Sequence, residues 1–213
     1  MEPAYSIGGD SFDFAINSDV AEFAIIDAVG HGMNAVLIST VAVNGLRNAR
    51  REGMSLDDAY TSTGDAISTQ FGGSNFVTGQ FGSLDLQSGE MTWLNAGHPP
   101  PLIVRDGHVM GELPCCPSMP MGLGGTVVEI AVDQLHPGDS VLFYTDGVID
   151  TKSPHGTPFG FHRLSDLLER ATRQGEQPVE TLRTLSRAIT GHSTAGLSDD
   201  ATLLIVEYHG PDA

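Results

Sequence analysis

Apolar positions along this chain fall into short unbroken runs separated by polar turns. Phe23 to Ile26, Val141 to Tyr144 and Ala201 to Val206 are too short for helices and are bounded by turn residues, so each predicts a buried strand. From Met33 to Arg51 the period changes: apolar residues at Val36, Leu37, Val41, Val43 and Leu46 predict a helix with a broad buried face. Ser55 ahead of Asp57 and Asp58 supplies an N-cap with acids in the first turn, launching a second helix that ends near Gly72-Gly73.

The middle of the chain is strand-like. Phe76 to Leu86 and Glu90 to Asn95 are separated by Gln87-Ser88-Gly89, a hairpin signal, and Leu102 to Arg105 turns at Asp106-Gly107 into His108-Val109. Val127 to Val132 and Ser140 to Tyr144 add strands. Phe161 to Ala171 and Pro178 to Ile189 predict a second helical pair, with Pro178 at a helix start. The predicted order is helix pair, strands, helix pair, closing strand.

At 213 residues, with no internal repeat and no Pro/Ser-rich linker, the chain is expected to form a single domain over 1–213. A formal charge of −17 with only ten Lys and Arg argues against nucleic acid or an anionic membrane as partner. No apolar stretch is long enough to span a bilayer, and Met1-Glu2-Pro3 does not open a secretory signal, so a cytoplasmic location is expected. Cys115 and Cys116 are sequence neighbours, poor geometry for a disulfide and no zinc spacing, and are expected to be unpaired thiols.

Four segments place acids beside these runs: Gly8-Gly9-Asp10-Ser11-Phe12-Asp13, Asp27-Ala28-Val29-Gly30-His31-Gly32, Tyr144-Thr145-Asp146-Gly147 and Ser198-Asp199-Asp200-Ala201-Thr202. Any one alone is accounted for by turn chemistry, since Asp hydrogen-bonds its own backbone. Four at the ends of strands are not. Converging carboxylates repel and raise one another's pKa unless hard cations neutralise them, and all-oxygen ligation suits Mg²⁺ or Mn²⁺. Gly8 and Gly9 mark a place where backbone approaches closely. There is no Cys followed by a basic phosphate loop, no Gly-x-Ser-x-Gly elbow and no nucleotide-binding Gly-x4-Gly-Lys-Ser/Thr.

These segments, together with NFVTGQFGSLDLQSGEMTWLNAGHPPPLIV, MGLG and LHPGDSVLFYTDGVID, resemble in order and spacing the metal-dependent protein phosphatase superfamily (PPM, type 2C phosphatases), and within it the SpoIIE-like bacterial branch. The resemblance runs from about Tyr5 to Tyr208. It implies an α+β fold, a four-layer αββα sandwich of two antiparallel sheets flanked by helix pairs. It also implies hydrolysis of phosphoserine or phosphothreonine by a water activated between two or more Mn²⁺ or Mg²⁺ ions, without a phospho-enzyme.

Carried over by position, the resemblance makes Asp27 a bridging metal ligand, joined by the backbone carbonyl of Ala28, by Asp146 and by Asp199. Asp10 acts on the metals directly or through water. Asp200 is expected to cap a turn or orient a ligand, since alternation along the closing strand lets only one of Asp199 and Asp200 face the metals. Asp13 is placed behind the ligands, with a solvent-facing position as the other option. His31 is either the acid that protonates the leaving serine oxygen or a ring tying its Gly-His-Gly turn to a carboxylate. His98 is expected to be a buried ring fixing the loop between strands.

Two departures shape the expected biology. The arginine with which animal-type members hold phosphate is absent before Asp10, where Tyr5-Ser6-Ile7-Gly8-Gly9 stands. Recognition then shifts toward the protein partner, which in SpoIIE-like members is typically a phosphorylated anti-sigma factor antagonist in a partner-switching circuit. Little chain precedes the fold, so upstream regulatory segments are expected in a parent protein. Monomer and homodimer are left open. The competing readings are a catalytically weak partner-binding module on the same fold and a hydrolase of small phosphoesters.

Overall fold

The computed structural model describes residues 1, 3, 8–125, 127–193, 196, 197 and 199–211. Glu2, Tyr5, Ser6, Ile7 and Ser198, named above, lie outside the described residues.

Two antiparallel sheets carry the chain. The first orders its strands β1 (Ser11–Asn17), β2 (Val20–Ala28), β3 (Val77–Asp85), β4 (Glu90–Ala96) and β7 (Ile130–Gln134). The second runs β6 (His108–Glu112), β5 (Leu102–Arg105), β8 (Ser140–Tyr144) and β9 (Leu203–Glu207). Helices α1 (Met33–Glu52) and α2 (Leu56–Phe71) cover the first sheet, while α4 (Phe161–Arg173) and α5 (Pro178–Thr190) cover the second. A single turn, α3 (Asp146–Asp150), follows β8. The result is the expected four-layer α+β sandwich.

The apolar runs are unbroken because both faces of the central strands are buried. Along β2, Ala24, Ile26 and Ala28 pack toward α1 and α2, whereas Phe23 and Ile25 point between the sheets onto Trp93, Val141 and Phe143. The rings of Phe23 and Phe143 lie 4.8 Å apart across that layer. The Trp93 indole, fully buried, donates to Asp133 at 2.7 Å.

Three local expectations change. The buried face of α1 is Ala35, Ile38, Ser39, Ala42, Leu46 and Ala49, and Leu37 is 49% exposed. Small residues let the helix lie close to the sheet, which displaces the larger Val and Leu to its flanks. The closing strand begins at Leu203, so Asp199 and Asp200 precede it and strand alternation does not govern their directions. Strand β7 starts at Ile130 instead of Val127. Cys115 and Cys116 are free thiols. Among the described residues no helix is long and apolar enough to cross a membrane.

Antiparallel pairing brings the motifs to one end of the sandwich. Ser11 pairs with Ile26, setting the start of β1 against the end of β2, and Tyr144 pairs with Leu203, setting the end of β8 against the start of β9. All four acidic segments lie at or just beyond these strand ends.

Candidate metal centre

Asp10 joins the two sheets. Its side chain is buried, and its Oδ2 accepts hydrogen bonds from Thr145 Oγ1 at 2.9 Å and Thr202 Oγ1 at 2.7 Å, one after β8 and the other before β9. Its other oxygen, Oδ1, is buried without a hydrogen-bond partner. Burial raises the Asp10 pKa to about 6, with Asp200 and Asp199 adding to the rise and the two threonine hydroxyls opposing it.

Asp27, half-buried near the end of β2, is raised further, to about 8. Burial is the largest cause, followed by the negative charges of Asp10, Asp146 and Asp199. Asp146 opens α3 beneath Thr145, and desolvation and then Asp199 push its pKa up. Asp199 is exposed on the loop before β9, and its charge acts on Asp10, Asp27 and Asp146 alike. The structure thus gathers Asp10, Asp27, Asp146 and Asp199 into one field of mutual repulsion.

This donor set fits hard divalent cations. It is all oxygen, its charges oppose their own proximity, and one buried carboxylate oxygen is left unsatisfied. Gly9 leaves the Ala28 carbonyl uncovered, since a β-carbon there would stand 3.2 Å from that oxygen and 2.9 Å from Ala35 Cβ. Among the described residues, no three His, Cys, Asp or Glu side chains close into a ready-made cage; the acids are assembled but stand apart.

Asp200 holds the backbone around the cluster. Its carboxylate accepts the Gly9 amide at 2.5 Å, and a β-carbon on Gly8 would meet that carboxylate at 2.8 Å. Its own amide donates to Asp199 Oδ1 at 2.9 Å. His98 is buried, with its amide donating to Asn95 Oδ1 at 2.7 Å and its Nδ1 lying 3.1 Å from Thr78 Oγ1, on the residue opposite Asp27. Burial lowers its pKa to about 4, with the Tyr144 backbone acting in the opposite sense, so the ring is neutral at physiological pH. His31 sits exposed between Gly30 (φ 91°) and Gly32 (φ 74°), a turn whose left-handed backbone favours glycine on both sides.

Asp13 is not brought to this cluster. It lies along β1 and points to α1, where Arg47 reaches it at 2.7 Å and Arg50 at 3.1 Å. Burial pushes its pKa up, but the two guanidinium groups outweigh this and hold it below the usual value. A position three residues along a strand, roughly 10 Å away, cannot share a site with Asp10.

Thr145, Thr202 and Gly147 also serve the site and were not singled out from sequence. The signal was available: each threonine adjoins or nearly adjoins a motif acid. Gly147 packs against the Asp200 backbone, where a β-carbon would stand 1.9 Å from the carbonyl oxygen.

The sequence pattern of the Stage II sporulation protein E (SpoIIE) family matches residues 18–209. Protein IcfG of Synechocystis is 28% identical over 97% of this chain and 37% of its own length. The phosphoserine phosphatase RsbU of Bacillus subtilis is 20% identical over 96% of this chain and 60% of its own. The chain therefore spans less than two thirds of either relative. Among solved structures, the RsbU and RsbW domains of a Mycobacterium tuberculosis protein superpose with a TM-score of 0.81 at 28% identity, covering 98% of this chain and 59% of that one. The SiaA-PP2C domain of Pseudomonas aeruginosa gives 0.85 at 21% identity, covering 97% and 83%, a likeness of fold.

Proposed function

The chain belongs to the SpoIIE family, and on that premise we propose that it is a metal-dependent protein phosphatase acting on phosphoserine or phosphothreonine. The observation that carries this reading is the pairing of Asp27 with a buried Asp10 whose Oδ1 has no partner, beside Asp146 and Asp199. Carboxylates are held this way where their charge is needed by a cation, because burial without compensation is costly.

Asp10, Asp27, Asp146, Asp199 and the Ala28 carbonyl would hold two or more Mn²⁺ or Mg²⁺ ions. When bound, such ions supply positive charge to phosphoryl oxygens and a water acidified toward neutral pH. The protein contributes rigidity: Thr145 and Thr202 hold Asp10, Asp200 holds Gly9, and Thr78 with His98 backs the strand that bears Asp27. His31, exposed in the turn that follows Asp27, is assigned the proton donated to the leaving serine oxygen.

The natural substrate is assigned as a phosphorylated anti-sigma factor antagonist. Support comes from the family, from a relative that is a phosphoserine phosphatase, and from a structural neighbour that carries an RsbW domain beside its RsbU domain. The test is hydrolysis of an aryl phosphate and of a phosphoserine protein by the purified chain with Mn²⁺, Mg²⁺ or chelator. Turnover of both substrates that chelator abolishes is expected. Metal saturation without turnover would favour a partner-binding module on the same fold.

A further inference from the structure

We propose that a groove between α2 and the loop 122–125 holds the polypeptide that flanks the phosphorylated residue, and that it selects basic side chains there; this rests on the phosphatase reading above. The groove encloses about 280 Å³ and is walled on one side by Tyr60, Gly64 and Asp65 of α2 and on the other by Gly122, Gly124 and Gly125.

Its position follows from the sheet. Val77 and Met121 exchange both backbone hydrogen bonds at 2.9 Å, and Val77 precedes Thr78, the residue paired with Asp27. The path from Asp27 through Thr78, Val77 and Met121 to Gly122 is four steps of roughly 4 to 5.5 Å each. A segment of about five extended residues covers that span. One substrate chain can therefore present its phosphorylated residue to the acids while its neighbours lie in the groove.

The walls suit a peptide backbone. Gly64 and Gly122 meet at the floor, where a β-carbon on Gly64 would stand 3.2 Å from the Gly122 amide nitrogen, and above it the glycines of the loop present few side chains to exclude an incoming main chain. The charge in the groove is that of the exposed Asp65, and the acids of the candidate metal centre are reached from it along the path from Gly122 to Asp27. A lysine or arginine beside the phosphorylated residue is attracted by both, whereas a glutamate is repelled. The chain's charge of −17 acts in the same direction.

Gly73 allows a direct test. It lines the groove, has no left-handed φ and would have no atom within 4 Å of an added β-carbon, so Gly73→Trp fills the groove without strain. Two fluorescein-labelled decapeptides would be used, each carrying phosphoserine, one flanked by Lys and Arg and one by Glu. Binding is read by anisotropy in chelator and hydrolysis with Mn²⁺, with p-nitrophenyl phosphate as the small substrate. Wild-type protein should bind the basic peptide more tightly, Gly73→Trp should weaken it about tenfold and raise its KM, and Asp65→Lys should reduce the preference. Turnover of p-nitrophenyl phosphate should be unchanged in both variants. Equal binding of the two peptides, or wild-type affinity in Gly73→Trp, would overturn the groove. Failure of wild-type protein to hydrolyse p-nitrophenyl phosphate would overturn the phosphatase reading instead, and the anisotropy comparison would still decide the groove.

Discussion

Gly147 and Asp200 meet backbone to backbone: a β-carbon on Gly147 would lie 1.9 Å from the Asp200 carbonyl oxygen. This contact sets the first turn of α3, which bears Asp146, against the loop that bears Asp199. The Gly147→Ala variant should therefore separate these two acids while adding only a methyl group. A fall in Mn²⁺ affinity of about 10- to 100-fold is expected by calorimetric titration, as for loss of groups that orient metal ligands. Unchanged affinity would mean that the loop moves aside at no cost to the site.

Asp199 and Asp200 should differ in kind. Asp199 is exposed toward the other acids, so Asp199→Ala should lose metal affinity and leave melting of the metal-free protein unchanged or higher. Asp200→Ala removes the acceptor of the buried Gly9 amide, at a cost of about 1 to 3 kcal/mol in stability. Parallel Mn²⁺ titrations and thermal melts separate the two; a stable Asp200→Ala protein that alone had lost metal would reverse the assignment.

Asp27 and Asp10 make the metal-free protein sensitive to pH. Their folded pKa values, about 8 and about 6, exceed the ordinary carboxylate value of 3.8, so between pH 4 and 8 the folded chain binds more protons than the unfolded chain. Stability from these groups is complete below pH 4 and is lost as pH rises through their folded pKa values. In chelator, Tm should drop by roughly 10 °C from pH 5 to pH 8.5. Saturating Mn²⁺ should remove most of that drop, because a ligand of the native state alone stabilises it by mass action. A chelated protein whose Tm is flat or rises over this range would contradict the buried, mutually repelling pair.

Replacing Asp27 or Asp146 with Asn removes a charge from the cluster and keeps its shape. Turnover with saturating Mn²⁺ should be lost in both variants, with circular dichroism unchanged. At pH 8 in chelator, Asp27→Asn should melt higher than wild type, because the substitution relieves the repulsion by Asp10, Asp146 and Asp199. Full activity in Asp27→Asn would remove that residue from the reaction.

Asp13 serves the fold through Arg47 and Arg50. Asp13→Ala should cost about 1 to 2 kcal/mol, limited by the partial exposure of both arginines, and leave kcat/KM on an aryl phosphate unchanged. Its depressed pKa makes this contribution present at neutral pH and lost on acidification below the ordinary carboxylate range. A loss of metal affinity in Asp13→Ala would return the residue to the site.

The sequence by itself determined the central strands, the hairpins, both helix pairs and the acids at the strand ends. Each of these is local: Phe23–Ile26 reads as a buried strand, and Ser55 caps α2 and accepts from the Asp58 amide, whatever lies across the fold. The direction of Asp13, the small-residue face of α1 and the threonine anchors of Asp10 were decided only by tertiary structure. Asp10 and Thr202 lie 192 residues apart, and they meet because Ser11 pairs with Ile26 in one sheet while Tyr144 pairs with Leu203 in the other. Strand register and the packing of the two sheets are long-range choices, and a slip of one residue in either would send these side chains to the opposite face.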